Sequence, residues 1–314
     1  MYTRKTWTDY KKQARRRRLV FAVVILLFAS VAATASTHFA GRFRGMARGE
    51  RRELLSLWDS GSYDTVFSLS QTALVSRPLD YFLLTMHGFA AYQMGISQIS
   101  SLDAEHYFDA CIWSLRKAML LRNAENDGRL LYVLGKAYSY KGENFADLSV
   151  KYLEKARVLS FNAADIPQYL GMGYAAMGDH RRSVIAFTEA LGNEGELGPS
   201  GPLLLAIAQS YLVLGEFDAA RAYLQRCIVI SPDSRVVIAA RLLLAEVMRN
   251  ADDIEGAMQQ LQDILDETGE NADARFQLGE LFAIQGNTVR ARAEWRLALR
   301  ADPAHIGART RLAQ

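Results

Sequence analysis

The chain has 314 residues, of which 50% are hydrophobic and 23% are charged, a balance that excludes a disordered or collagen-like chain. Its net charge of +3 is unevenly distributed. Residues 1–18 carry eight Lys or Arg against one Asp, a net of +7, which leaves −4 for the rest of the chain. Because the body is mildly acidic and nucleic-acid binding requires a basic patch to neutralise phosphates, no nucleic-acid partner is expected for it.

The basic tail, residues 1–18, precedes an apolar stretch, residues 19–40, that contains no Asp, Glu, Lys or Arg. About 20 apolar residues are needed to cross a bilayer as a helix, so residues 19–40 are predicted to form one transmembrane helix, followed by a basic linker, 41–50. Eight basic residues precede the helix and five follow it within a similar distance. The positive-inside rule therefore predicts a cytoplasmic N-terminus. In a bacterium this means a single-pass inner-membrane protein with its body in the periplasm.

A removed signal peptide is the alternative interpretation of the same segment. The sequence Ala33-Thr34-Ala35 resembles a small-x-small cleavage site. On that interpretation the body is secreted to the periplasm without an anchor.

Beyond residue 50 the chain repeats itself. Short turn motifs such as GSYDTV, GEFDAA and GNTVRA each precede a helix start, and most recur every 34 to 37 residues, with one spacing of 47. Seven residues before several of these turns stands a small residue where two helices are expected to cross closely, and three residues after it stands an aromatic. The small residues are Gly171, Ala208 and Gly279, and the aromatics are Tyr174, Tyr211 and Phe282. The predicted turn positions are Gly61, Gly95, Gly142, Gly178, Gly215, Asp252 and Gly286.

These segments resemble the tetratricopeptide repeat (TPR) family, of the membrane-anchored bacterial envelope type. The best copies are residues 170–191, 207–232 and 278–303. The resemblance implies an all-α, right-handed superhelical solenoid of about seven helical hairpins, in which the aromatics pack against neighbouring hairpins. The predicted segments are hairpins one to four at 51–191, a joint at 192–201, hairpins five to seven at 202–303 and a capping helix at 304–314.

Two hairpins depart from the pattern. The second carries an extra stretch around residues 96–120, interpreted as a longer loop and a lengthened second helix. The sixth lacks both expected glycines and the aromatic, although its helical period persists.

No catalytic, metal-binding or cofactor-binding motif is found. The five histidines are scattered, and neither a phosphate-binding loop nor a nucleophile elbow is present. Cys111 and Cys227 fall in different hairpins, so no disulfide is expected, and Cys227 is predicted to be a buried free thiol. Asp252 and Asp253 lie at a helix start, where N-capping accounts for them. The protein is therefore predicted not to be an enzyme and to need no cofactor.

In TPR proteins the first helix of each hairpin lines a concave groove, so the resemblance implies a partner-binding groove suited to a peptide or helix. The matching positions are Phe82, Phe89, Tyr92, Tyr132, Lys136, Tyr140, Gln168, Met172 and Gln209. The alternative is that these aromatics pack on neighbouring hairpins or on an N-terminal helix that lies in the groove. The carboxylate clamp of chaperone-binding members is absent apart from Lys136, which argues against a chaperone-tail adaptor.

Three functions follow from anchor and repeats together. The first is a non-catalytic, membrane-anchored interaction scaffold of a bacterial cell-envelope complex. The second is a structural subunit of a large envelope machine (a flagellar-motor collar, or a division or secretion assembly) that packs through its repeat surfaces. The third is a periplasmic chaperone-like helper of the translocon. Homo- or hetero-oligomers are compatible with all three.

Overall fold

A computed structural model describes residues 48–121, 126–193 and 200–314. The predicted tail and transmembrane helix, residues 41–47 of the linker and residues 194–199 of the joint lie outside the described residues. Among the residues described, no helix is both long and apolar enough to span a bilayer.

The described residues form fifteen α-helices and no strand, which confirms the all-α prediction. They are α1 (Arg48–Asp59), α2 (Tyr63–Ser76), α3 (Tyr81–Ile96), α4 (Ser101–Met119), α5 (Gly128–Tyr140), α6 (Ala146–Val158), α7 (Ile166–Ala176), α8 (His180–Asn193), α9 (Gly201–Leu214), α10 (Phe217–Ile230), α11 (Ser234–Asn250), α12 (Ile254–Thr268), α13 (Ala272–Ile284), α14 (Thr288–Ala301) and α15 (Ile306–Ala313). A short 3-10 turn, Glu143–Phe145, precedes α6.

The chain divides into two compact units within α5, between Ala137 and Tyr138. In the first unit, α1 packs on α2, α2 on α3 and α3 on α4. In the second unit each helix from α6 to α15 packs on the next, and α9 also contacts α11, as α11 contacts α13. Contacts between alternate helices are what a stack of helical hairpins produces, because the first helices of successive hairpins then lie side by side.

The turns follow the predicted positions with one exception. The backbone has positive φ at Gly61, Gly142, Gly178, Gly215, Asp252 and Gly286. At Gly215 the left-handed conformation (φ 76°, ψ 13°) ends α9 and lets the chain reverse, a conformation in which glycine carries no Cβ penalty. Next to the Asp252 turn, the Asp253 carboxylate accepts a hydrogen bond from the Gly256 N–H at 3.0 Å, so the predicted N-cap is confirmed.

The turn predicted at Gly95 is wrong. Gly95 is buried inside α3, where a Cβ atom would stand 2.8 Å from the Phe108 ring, so this glycine serves helix packing. The chain instead turns between Ser97 and Ser100, and α4 then runs for 19 residues. The lengthened second helix of this hairpin is therefore confirmed, whereas the connection before it is short.

Small residues bring the two helices of a hairpin together, as the repeat pattern predicts. At Gly171 in α7 a Cβ atom would overlap the ring of Phe187 in α8, and at Gly279 in α13 it would overlap the indole of Trp295 in α14. Phe187 and Trp295 are both buried. Each glycine thus leaves the space that an aromatic of the second helix fills.

The aromatics that follow the small residues behave less uniformly than predicted. Tyr174 in α7 donates a hydrogen bond to Glu154 in α6, so it does contact the preceding hairpin. Tyr211 packs on the cluster around Phe187 but also stacks on Tyr223 of its own hairpin, at a centroid distance of 5.6 Å. Each of these rings packs where apolar neighbours bury it, whether those neighbours belong to its own hairpin or to the preceding one.

The last helix covers the end of the second unit. Ala308 of α15 is buried in the cluster around Trp295, and the Arg311 guanidinium donates to both carboxylate oxygens of Glu280 in α13 at 2.9 and 2.5 Å. Helix α15 exposes polar side chains to solvent and buries Ala308 against the preceding hairpin. It therefore acts as the cap that a stack of hairpins with apolar faces needs at its end.

In the first unit a buried histidine, His87, comes directly before the packing glycine of its helix, Gly88. Later hairpins have a leucine at the same position: Leu134, Leu170, Leu244 or Leu278. The His87 ring stacks on Phe67 at 4.5 Å, and its Nδ1 lies 2.8 Å from the hydroxyl oxygen of Ser114. Burial lowers the pKa of His87 to about 4.

We expect Gly171→Ala to lower the free energy of unfolding by about 1 to 3 kcal/mol, because Phe187 must move to admit the methyl group. Gly192→Ala in α8 is the control, since a Cβ atom there meets nothing within 4 Å. That variant should be neutral or stabilising by up to about 1 kcal/mol. Urea unfolding followed by far-UV circular dichroism measures both. Equal losses for the two variants would contradict the packing role of Gly171.

We also expect acid to destabilise the first unit through His87. The unfolded imidazole takes up a proton below about pH 6.5 while the folded one stays neutral, so stability is complete above pH 6.5 and falls as the pH drops towards 4, by about 2 to 3 kcal/mol at most. His87→Leu removes the titrating group and keeps an apolar side chain. Urea midpoints compared at pH 7 and pH 5 test this: the loss at pH 5 should shrink in the variant, and an unchanged pH dependence would rule His87 out.

Candidate partner-binding groove

A groove of about 600 Å³ lies on the second unit. Its walls are the first helices of two successive hairpins, α7 and α9, and the end of α5, α6 and α8 complete it. The lining residues are Ser139, Gly142, Glu143, Ala146, Ser149, Met172, Gly173, Ala175, Ala176, His180, Phe187, Ala206, Gln209, Ser210 and Val213.

The groove exists because its lining side chains are small. Alanine, glycine and serine make up most of it, so facing helices leave space that larger side chains would fill. Gly173 also lets α7 approach α6 closely, since a Cβ atom there would stand 2.5 Å from the Val150 side chain. Met172 and Val213 remain 47% and 65% exposed, so large apolar side chains are available to a partner.

Two polar atoms of the groove have no hydrogen-bond partner within the described parts of the chain. They are the hydroxyl oxygen of Ser149, a residue only 1% exposed, and the Nδ1 atom of His180. A buried polar atom without a partner costs about 1 to 3 kcal/mol. The two atoms therefore offer hydrogen-bonding capacity to a molecule that enters the groove.

Charged residues beside the groove are already paired. Asp179 caps α8 by accepting from the backbone N–H of Arg182 at 3.0 Å, and it binds the Arg182 side chain at 2.6 Å. These hydrogen bonds hold the pKa of Asp179 below its usual value. The guanidinium also lies 4.5 Å from the centroid of the Tyr174 ring. Burial, reinforced by the hydrogen bond to Glu154, raises the pKa of Tyr174 to about 12. The charges at this edge thus stabilise the first turn of α8, and the groove itself is nearly uncharged.

The predicted groove residues of the second unit are all partly or fully accessible. Met172 and Gln209 line the groove, and Gln168 is exposed on α7. Tyr140 is 47% exposed, and its hydroxyl lies 3.1 Å from that of Tyr169. The structure brings Met172 and Gln209 together; their role in binding stays a prediction.

The predicted residues of the first unit form aromatic and cationic contacts. Phe89 and Tyr92 are buried, at 8% and 6% exposed, whereas Phe82, Tyr132 and Lys136 are half-buried. The Lys136 ammonium donates to the Tyr132 hydroxyl at 3.1 Å and lies 5.6 Å from the Tyr92 ring centroid.

Arginines lie over the two phenylalanines of the same set. The Arg51 guanidinium is 4.5 Å from the Phe82 ring centroid, and that of Arg129 is 5.1 Å from the Phe89 ring centroid. Phe89 and Tyr92 therefore contribute mainly to packing, as the alternative interpretation of the sequence expects, and a partner-binding role for this set stays a prediction.

Sequence reasoning missed most of the groove lining. Ala176 and Val213 stand one turn beyond the predicted positions on their helices, Ser139 directly precedes the predicted Tyr140, and Ser149 and His180 belong to second helices. The available signal was the run of small residues in GMGYAAMG, residues 171–178, which marks a helix that leaves space on more than one side.

No group of acidic, histidine or cysteine side chains within the described ranges could hold a metal ion. Both cysteines are buried free thiols, as predicted for Cys227, and burial raises the pKa of each. Stacked helical hairpins with a groove of small residues define a helical-repeat protein.

Residues 168–313 match the family model described as a tetratricopeptide repeat-like domain. This part of the chain is therefore TPR-like, and in the structure it comprises four helical hairpins and the cap. No curated protein matches the chain at a significant level.

Three solved TPR structures illustrate the shared fold. The C-terminal part of a TPR repeat-containing protein from Cytophaga hutchinsonii has a TM-score of 0.59 at 12% identity, covering 83% of this chain and 98% of that one. PilW, a widely conserved type IV pilus biogenesis factor, has a TM-score of 0.56 at 17% identity over 72% of this chain and 98% of its own. YrrB, a TPR protein with an unusual peptide-binding site, has a TM-score of 0.50 at 20% identity, over 64% and 98%.

Proposed function

We propose that the protein is a non-catalytic scaffold that binds a partner protein through the groove of its second unit. One observation carries the proposal: a groove of about 600 Å³ combines a nearly uncharged lining of small residues with two hydrogen-bonding atoms that lack partners. Such a surface fits a peptide or helix that inserts an apolar side chain and offers a polar group to Ser149 or His180. A carboxylate terminus is a poor match, because no Lys or Arg lines the groove and its one acidic residue, Glu143, would repel the charge.

We further propose that the scaffold is tethered to the inner membrane of a bacterial envelope, with its repeats in the periplasm. The support is the apolar segment 19–40 and the excess of basic residues before it. Tethering places the groove near the membrane surface, where partners of an envelope complex are held at high effective concentration.

The groove is tested with two paired substitutions and a matched control. The full-length protein is purified from its native membrane, and its partner is identified by mass spectrometry. Met172→Glu with Val213→Glu should lower partner binding at least tenfold (about 1.4 kcal/mol), because two carboxylates would then face an apolar ligand. Ile185→Glu in α8 changes a side chain that is similarly exposed, at 67%, but lies outside the groove lining, and it should leave binding unchanged.

Equal binding by wild type and the doubly substituted protein, at unchanged helicity, would remove the groove from the proposal. Equal loss in both variants would show that added charge, rather than the groove, is responsible.

The tether is tested by extraction and intact-protein mass spectrometry. We expect the protein to remain in the membrane fraction after alkaline extraction and to retain its N-terminal segment. A soluble product that starts after Ala35 would establish the cleaved signal peptide instead. Replacement of two residues in the middle of the apolar run, Ile25→Lys with Leu26→Lys, should release the chain from the membrane, because charges at the bilayer centre are costly.

A further inference from the structure

The outer surface near the C-terminal end carries two opposite charge patterns side by side. Residues 251–273 contain eight Asp or Glu and no Lys or Arg, and this stretch includes all of α12. Helix α14 contains four Arg and one Glu. A strongly acidic helix thus precedes a strongly basic one in the stack, as the second helices of successive hairpins.

The two helices present matching outward stripes. Successive hairpins here are 34 residues apart, so each α12 position has an equivalent in α14. The outward residues of α12 are Glu255, Gln259, Gln262 and Asp266, and their equivalents in α14 are Val289, Ala293, Arg296 and Arg300. All eight are exposed. The acidic stripe and the basic stripe therefore lie parallel on one face of the same unit.

A cleft of about 340 Å³ lies beside the acidic stripe. Met258, Leu278 and Phe282 supply its apolar lining, and Glu255 and Glu294 supply its carboxylates. Glu294 already binds Arg275 at 2.9 Å, whereas Glu255 has no ion-pair partner in the described residues. Such a cleft suits the long side chain of an arginine. Its methylenes can pack on the apolar lining, and its guanidinium can pair with the Glu255 carboxylate.

Contacts within the chain use only part of these charges. Arg300 binds Glu270 at 2.8 Å, so the end of hairpin six is already joined to the last turn of α14. Asp266 accepts a hydrogen bond from Gln262, at 2.7 Å. Neither Asp266 nor Arg296 has an ion-pair partner in the part of the chain that the structure describes. Because the two stripes point outward side by side, they cannot face each other within one molecule.

We propose that this face pairs with the same face of a second copy, α12 of each copy lying on α14 of the other. A two-fold axis between the stripes makes every contact reciprocal, which is the requirement for an isologous interface. Because the two stripes are in register, Arg300 of each copy then lies opposite Asp266 of its partner, and Arg296 lies opposite Gln262, one helical turn from the same carboxylate. An anionic membrane or nucleic acid is a poor occupant, since the acidic stripe would repel it.

The pairing is independent of the groove. The groove is lined by α7 and α9, whereas the charged stripes are on α12 and α14. Two tethered copies would therefore keep both grooves available, and an array of such dimers would present partners in pairs.

Charge reversal with rescue tests the proposal. The full-length protein is purified in detergent, and self-association is measured by sedimentation velocity and by energy transfer between separately labelled copies. Wild type should dimerise at about 30 mM salt and dissociate largely at about 500 mM, because exposed charges are screened. Asp266→Lys with Glu255→Lys makes both stripes basic, and Arg296→Glu with Arg300→Glu makes both acidic. Each doubly substituted protein alone should dimerise at least tenfold more weakly.

The decisive result is the mixture of the two reversed proteins, which should restore association to within a few-fold of wild type because opposite stripes meet again. Arg181→Glu with Asp218→Lys, which reverses exposed outward charges on α8 and α10, is the matched control and should leave the dimer unchanged. If a reversed protein loses helicity, the neutral variants Glu255→Gln with Asp266→Asn and Arg296→Gln with Arg300→Gln replace it, and each should weaken the dimer.

Three results would overturn the proposal: a monomer at low salt, association that survives the stripe variants, or reversed proteins that fail to rescue each other. Association through the apolar N-terminal segment would give the second result, since it does not depend on these charges.

Discussion

The close approach of the two helices within each hairpin is the constraint on which the rest of the structure depends. Where Gly171 faces Phe187 and Gly279 faces Trp295, the first helix gives up a side chain so that an aromatic of the second can be buried. Burial of one such aromatic contributes about 1.5 to 3 kcal/mol. A Cβ atom at either glycine would push the two helices apart and expose the aromatic.

That geometry also determines where the molecule can bind others. Paired helices bury one face, and stacking against the next hairpin buries a second, so the remaining faces must interact with solvent or with partners. On the inner side, small residues such as Gly173 and Ala206 leave a groove with unused hydrogen-bonding atoms. On the outer side, no helix of the described residues covers the exposed stripes of α12 and α14, which differ from each other in their charge. One repeat architecture thus supports two surfaces of different chemistry.

Much of the fold follows from local patterns. Turn glycines, packing glycines and helical periodicity all act within one hairpin of about 34 residues, so their spacing predicted helices α5 to α14 and the cap. Gly95 was misassigned because a glycine that ends a helix and one that packs inside it look alike in sequence. Burial against Phe108 distinguishes them, and that contact depends on how α4 folds back. Met172 and Gln209 both line the groove, and their role in binding stays a prediction. Ser149 and His180 could not be found from the sequence, since their free polar atoms depend on what neighbouring helices leave unsatisfied.

The sequence by itself determined the repeat, its all-helical character and the resemblance to TPR hairpins, because these rest on residue identity at fixed local spacing. It also determined the charge contrast between residues 251–273 and α14, which is a matter of composition. Only the tertiary structure decided that Phe89 and Tyr92 are buried, that a groove of about 600 Å³ remains between α7 and α9, and that acidic and basic stripes share one outward face. Each of these depends on side-chain volumes and helix orientations contributed by hairpins distant in sequence, which no local pattern encodes.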